Sequence, residues 1–404
     1  MSERRRQIKA GLLQVHSIAG LALALLWAVV GITGATMSFE DEIEASLNRS
    51  IMHVDPSATR RLTPDELVAR MQALGETGKV SAVTMASNPS AAVHIRFARD
   101  GGGGRPSSVY VDPYDGHMLG SPRGEAFFAT VRKLHRWLLV PGDGNGYGRK
   151  ITGTAAICLI VMLITGLVLR WPHRTRSVKM WLKPNLALRG RGLHRSLHAV
   201  IGTWVLPIYL VMTLTGLWYS FEWYKAGANW LLMRPTTAAA AVQPKASRTM
   251  AAADAKAEAK SDAKTDTRPL IFDRVWATFL HEEGSRYARV LMTLPAGAGT
   301  VVRVRSWAAD STLESVRDEF RIDAVTGRLV SSDLYANKTF GERILAGVLD
   351  IHRGAILGWP GKLAFMLAAA LMPLFTVTGF LLYLSRRRHH RLARPPIGHL
   401  VPGE

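Results

Sequence analysis

An apolar stretch of about 20 residues is long enough to cross the hydrocarbon of a bilayer, and this chain has four: residues 12–39, 151–171, 197–221 and 363–384. Lipid offers no partner to backbone N–H and C=O groups, so each run is expected to be a helix. A buried soluble-core helix would explain one such run, but not four with basic residues at their ends. Arg4, Arg5, Arg6 and Lys9 resemble the charged start of a signal peptide. The apolar run behind them is too long for that, and no small-x-small cleavage site precedes a break, so it reads as a span.

The formal net charge is +20 over 404 residues, and its placement decides what it means. The excess gathers in residues 1–11, in 170–195, which carry Arg170, Arg174, Arg176, Lys179, Lys183, Arg189, Arg191 and Arg195 without one acid, and in the tail with Arg386, Arg387, Arg388, Arg391 and Arg394. In a four-span chain these segments share one side, which the positive-inside rule makes cytoplasmic. Both termini are then inside, and the long segments 40–148 and 222–360 lie in the periplasm of a bacterial inner membrane. The charge therefore reports topology, and nucleic acid is not expected as a partner. Cys158 is the sole cysteine and sits within a span, so no disulfide is expected to brace the outer segments.

Comparing the chain with itself reveals an internal twofold repeat. His16 and Gly20 align with His198 and Gly202, and in each copy the histidine precedes the glycine of a Thr-Gly pair, Thr33-Gly34 or Thr215-Gly216, by 18 residues. Gly148-Arg149 and Gly361-Lys362 stand equally far before Thr165-Gly166 and Thr378-Gly379. Leu134-His135-Arg136 matches Ile351-His352-Arg353, and the stretch 111–119 matches 322–330.

The chain divides accordingly into spans at 12–39, 149–171, 194–221 and 361–384, a cytoplasmic loop at 172–193 and a cytoplasmic tail at 385–404. Outside lie a first domain at 40–133 with a His-Arg element at 134–148, and a second domain at 269–335 with its element at 340–360. The spacing predicts a helix over 62–74, with Thr63 as N-cap, Pro64 at the first turn and Glu66 completing a capping box. Strands are predicted at 80–85, 92–99 and 109–111; the second domain offers a helix at 271–283 and strands at 288–294, 301–305 and 319–322. The Ala-, Lys- and Asp-rich stretch 236–268 lacks large apolar residues and reads as a disordered linker.

Ionisable side chains within spans are costly and tend to face the bundle interior, where they bind or pair. Eighteen helical residues rise about 27 Å, which puts His16 and His198 at the cytoplasmic edge and His135 and His352 at the outer edge. One imidazole from each half at each edge is what bis-histidine haem ligation needs. His194 lies one turn before His198 and competes with it for the axial position. No local His or Cys cluster supplies the three or four ligands of a bare metal site. Arg136, Arg149, Arg353 and Lys362 stand where propionates of an outer haem would project, although headgroup contact explains them as well. No nucleophile elbow, phosphate loop or dinucleotide fingerprint is present.

Residues 111–119 and 322–330 resemble the ends of PepSY domains. The Leu-His-Arg element, the histidines followed four residues later by glycine, and the Thr-Gly pairs resemble PepSY-associated transmembrane helices. The resemblance runs from about Gln14 to Arg388, the linker excepted, and it departs at Ala324, where the first copy has Pro113. It implies two periplasmic α+β PepSY-like domains on a four-span bundle. The family includes PiuB-like iron-regulated membrane proteins and FoxB-type siderophore reductases. It therefore implies haem b, two per chain, held by His16, His198, His135 and His352, and reduction of a periplasmic ferric siderophore. Electrons would come from quinol or a cytoplasmic flavoprotein, and a homodimer is left open. A regulatory or binding protein without redox activity is the alternative, and a siderophore or iron permease a third reading, weakened by four spans with few polar interior residues.

Overall fold

A computed structural model describes residues 3–73, 78–98, 108–171, 178–233 and 268–392. The expected linker 236–268 falls, but for its last residue, outside the described residues. In chain order the main elements are helix α1 (Glu3–Met37), helix α2 (Pro64–Ala73) and strands β1 (Val80–Ala86), β2 (Val93–Phe97), β3 (Ser108–Val111) and β4 (Met118–Gly120). Helices α3 (Glu125–Trp137), α4 (Tyr147–Arg170), α5 (Gly190–Ser220) and α6 (Phe272–Glu283) follow. Strands β5 (Tyr287–Thr293), β6 (Val301–Ala308), β7 (Asp318–Asp323) and β8 (Leu329–Asp333) precede helices α7 (Val348–His352), α8 (Gly358–Ala370) and α9 (Met372–Leu392). The described residues form two compact units: those within 1–39, 127–227 and 351–404 make one, and those within 40–126 and 228–350 the other.

The first unit is a helical bundle. Among the described residues four stretches are long and apolar enough to cross a membrane: Arg6–Met37, Tyr147–Arg170, Gly190–Ser220 and Ala355–Arg388. Helix α1 packs against α4 and against α8 and α9, and α5 packs against the same neighbours, so α1 and α5 stand diagonally across the bundle. Aromatic side chains tie adjacent helices by their polar ends, since a buried N–H or O–H must find an acceptor. Trp27 Nε1 donates to the Ala155 carbonyl at 3.2 Å, and the Tyr209 hydroxyl to the Ala368 carbonyl at 2.7 Å. Pro373 has no N–H to offer the carbonyl of Ala369, and the fourth span breaks there into α8 and α9. Gly31 lets α1 approach that carbonyl: a Cβ at position 31 would stand 2.7 Å from the Ala369 oxygen and 2.5 Å from Met372 Cβ.

Glycine also sets the junction between each His-Arg element and the span that follows it. A Cβ at Gly148 would lie 2.0 Å from the Trp137 carbonyl oxygen, and one at Gly361 would lie 2.3 Å from that of Gly354. The chain thus folds back on itself directly after His135 and after His352, and the two glycines noticed for their spacing are the points where it does so.

The second unit is an antiparallel sheet of eight strands in the order β4-β3-β2-β1-β5-β6-β7-β8. The two expected domains share this one sheet. Strands β1 and β5, one from each domain, pair in the middle of the sheet, with Ala82 opposite Thr293 and Thr84 opposite Leu291. Each would otherwise be an open edge, and joining them removes two unpaired rows of N–H and C=O groups. One core results, which includes Leu67, Met71, Ile95, Phe97, Val111, Phe279, Met292 and Ile322.

Helix α2 starts as its capping box requires, with Glu66 N donating to Thr63 Oγ1 at 3.3 Å and Thr63 N to Glu66 Oε2 at 2.8 Å. The short strands β4 and β8 are not among the predicted ones. They close the hairpins of the 111–119 and 322–330 stretches, where Gly116 (φ 75°) and Gly327 (φ 72°) take the left-handed turn position. The same ladder recurs in both: Asp112 N to His117 O at 2.9 Å, Asp323 N to Arg328 O at 3.0 Å.

Candidate functional site

The four histidines singled out by spacing meet in two pairs within the bundle. His16 on α1 faces His198 on α5 with ring centroids 6.3 Å apart and planes at 76°. His135, at the end of α3, faces His352, at the end of α7, with centroids 6.4 Å apart and planes at 71°.

Each ring is held from behind by the Thr-Gly pair of another helix. Thr165 Oγ1 lies 2.9 Å from His16 Nδ1, and Thr378 Oγ1 lies 2.8 Å from His198 Nδ1. Thr33 Oγ1 lies 3.2 Å from His135 Nδ1, which also has the Val30 carbonyl at 3.0 Å, and Thr215 Oγ1 lies 2.8 Å from His352 Nδ1. The adjoining glycines let the imidazoles lie flat on the helix: a Cβ at Gly34 would meet His135 Cε1 at 3.1 Å, and one at Gly166 would meet His16 Cε1 at 3.2 Å. Thr33 comes 17 residues after His16 on one helix, so the two pairs sit about 25 Å apart along α1. The threonines were visible in the sequence only as landmarks before a glycine. Their fixed place in all four copies was the signal.

These spacings suit a single metal between two rings. With about 2 Å for each metal–nitrogen bond and about 1.1 Å from that nitrogen to the ring centre, two imidazoles on opposite sides of one metal have centroids about 6.2 Å apart. Among the described residues no group of three or more His, Cys, Asp or Glu could hold a bare ion. Two ligands per site is the number an iron porphyrin takes from protein when both are axial. The donor chemistry and spacing therefore fit haem. Burial pushes the His135 and His352 imidazoles below the usual histidine range, which keeps both rings neutral and able to donate a lone pair.

His194 is half-buried one turn before His198, and the ring across from His16 is that of His198. The four cations expected near an outer site have neighbours within the bundle. Arg149 donates to the Tyr219 carbonyl at 2.7 Å and pairs with Glu222 at 2.7 Å. Arg136 lies 5.7 Å from the Tyr219 ring centre, Arg353 reaches the Met37 carbonyl at 3.4 Å, and Lys362 lies 4.9 Å from the Phe39 ring centre. Aromatic side chains also occupy the bundle: His198 meets Phe375 at 5.4 Å, and Phe375 meets Tyr209 at 5.9 Å between centroids. Trp27, Tyr209 and Phe375 belong to one apolar cluster.

No curated protein matches the chain. The family described as the PepSY-associated TM region matches it over residues 13–386. That match covers both histidine pairs, all four Thr-Gly pairs and the whole sheet. The chain is a multi-pass membrane protein that belongs to the PepSY-associated TM region family.

Proposed function

We propose that the chain is a haem b-containing inner-membrane reductase that passes electrons across the bilayer to reduce a periplasmic ferric siderophore. The observation that carries this reading is the pair of imidazole pairs, with ring centroids 6.3 and 6.4 Å apart, each at its own level of an apolar bundle. Haem b, when bound, carries one electron at a time between ferric and ferrous iron. His16 and His198 would hold one group and His135 and His352 the other. Apolar surroundings and the hydrogen bonds to Nδ1 would set the potential of each.

The matching halves, down to paired hairpins and paired Thr–His contacts, are read here as an internal twofold repeat that builds two sites from one plan. The basic ends of the spans support cytoplasmic termini and a periplasmic sheet unit. Quinol or a cytoplasmic flavoprotein would supply the electron. The Fe(III) chelate would accept it, and the Fe(II) formed is held more weakly and released. Arg136, Arg149, Arg353 and Lys362 are candidate contacts for propionates at the outer site.

Purified chain should show a Soret band with sharp reduced α and β bands, and a pyridine haemochrome assay should return two haems per chain. His16→Ala or His198→Ala should each lower that to one, as should His135→Ala or His352→Ala, with a different α-band component lost in the two cases. Colourless protein from haem-replete cells would favour the regulatory reading, and four variants with unchanged haem would defeat the ligand assignment.

A further inference from the structure

We propose that Thr33, Thr165, Thr215 and Thr378 are positioning residues that hold the four paired histidines in the Nδ1-protonated tautomer, so that Nε2 is the nitrogen with the free lone pair. What Nε2 then binds rests on the haem reading above, whereas the tautomer itself does not.

Counting hydrogens assigns the tautomer. A threonine hydroxyl has one to give, and each of these gives it to the carbonyl four residues back on its own helix. Thr33 donates to Val29 at 2.7 Å, Thr165 to Val161 at 2.9 Å, Thr215 to Val211 at 2.6 Å and Thr378 to Leu374 at 2.7 Å. With its hydrogen engaged, the same oxygen can only accept from the ring beside it. Nδ1 must therefore be the donor, and the proton sits there. At His135 the Val30 carbonyl, 3.0 Å from Nδ1, demands the same, because a carbonyl cannot donate.

Back-bonding of this kind gains a helix little and slightly weakens it, so helix stability does not account for its recurrence in all four places. Each contact crosses from one helix to another, over 102 to 180 residues of sequence. It fixes both the rotation and the protonation of the ring. An imidazole whose Nδ1–H is hydrogen-bonded is a more basic ligand at Nε2, which stabilises ferric over ferrous iron and lowers the midpoint potential.

The His198 site offers the cleanest test, because Thr378 is the hydrogen-bond partner seen at its Nδ1. His135 keeps the Val30 carbonyl if Thr33 is lost. In the purified, haem-loaded full chain, potentiometric titration of the reduced α band should show that Thr378→Val raises the midpoint potential of one haem and leaves the other unchanged. Thr378→Ser should return the wild-type value, and Thr33→Val should give a smaller upward shift than Thr378→Val. Loss of one haem in Thr378→Val with recovery in Thr378→Ser also supports the assignment. A wild-type potential in Thr378→Val, or a serine variant that behaves as the valine one, would overturn it. Should the wild-type chain carry no haem, the reductase reading fails, and 15N spectra of its histidine rings still decide the tautomer: a proton on Nε2 of His198 would sink the proposal.

Discussion

His94 shows how a single buried group can govern response to acid. Its ring stacks on Tyr110 with centroids 4.7 Å apart, and its buried Nε2 has no hydrogen-bond partner among the described residues. Burial, helped by nearby Arg96 and opposed by Glu125, pushes its pKa down to about 4. The unfolded chain takes up this proton near pH 6.5 and the folded one only near 4, so stability falls as pH drops through that window. Thermal melts of the full chain should therefore lose more between pH 7 and pH 5 for wild type than for His94→Gln; equal losses would contradict this. At the same scale, His16, His135, His198 and His352 were legible because their spacing repeats. What fixes their rings was not, since each threonine acts on a histidine at least 102 residues away and no local pattern reports that contact.

Among the elements, helices α2 and α6 begin against each other. Asp65 N donates to Asp273 Oδ1 at 3.0 Å, while Asp65 accepts from Phe272 N at 3.0 Å and Asp273 N at 3.1 Å. Each carboxylate thus satisfies orphan N–H groups at the start of the other helix. Asp65→Ala should cost about 1–2 kcal/mol, measured by denaturant unfolding of the full chain, and Asp65→Asn less, because one acceptor remains. A neutral Asp65→Ala would mean that solvent replaces the contact at no cost.

The alternating patterns of β1, β2, β5 and β6 and the capping box of α2 placed those elements to within a few residues. Strand β4 has three residues and was too short to show a period. The pairing of β1 with β5 joins Ala86 to Arg289 across some two hundred positions, and both strands alternate as any half-buried strand does. Nothing in either pattern names the partner. The two domains therefore looked independent.

Across the whole molecule, the assignment of sides rests on charge, and Cys158 makes it straightforward to test. In a Cys158→Ala background, Asp310→Cys lies in an exposed turn after β6, and Lys9→Cys lies at the basic start of α1. A membrane-impermeant maleimide added to spheroplasts should label the first and spare the second until the membrane is opened. The reverse pattern would invert the topology and put the sheet on the wrong side for a periplasmic chelate.

The central β1–β5 ladder stitches the first half of the polypeptide to the second by main-chain bonds, independently of the covalent link between them. A single cut anywhere in 236–267 would leave two fragments that still share one sheet and one set of interlocked helices. The protein should accordingly tolerate nicking there, or even synthesis as two separate pieces, much as a closed zip holds cloth after its backing tape is severed.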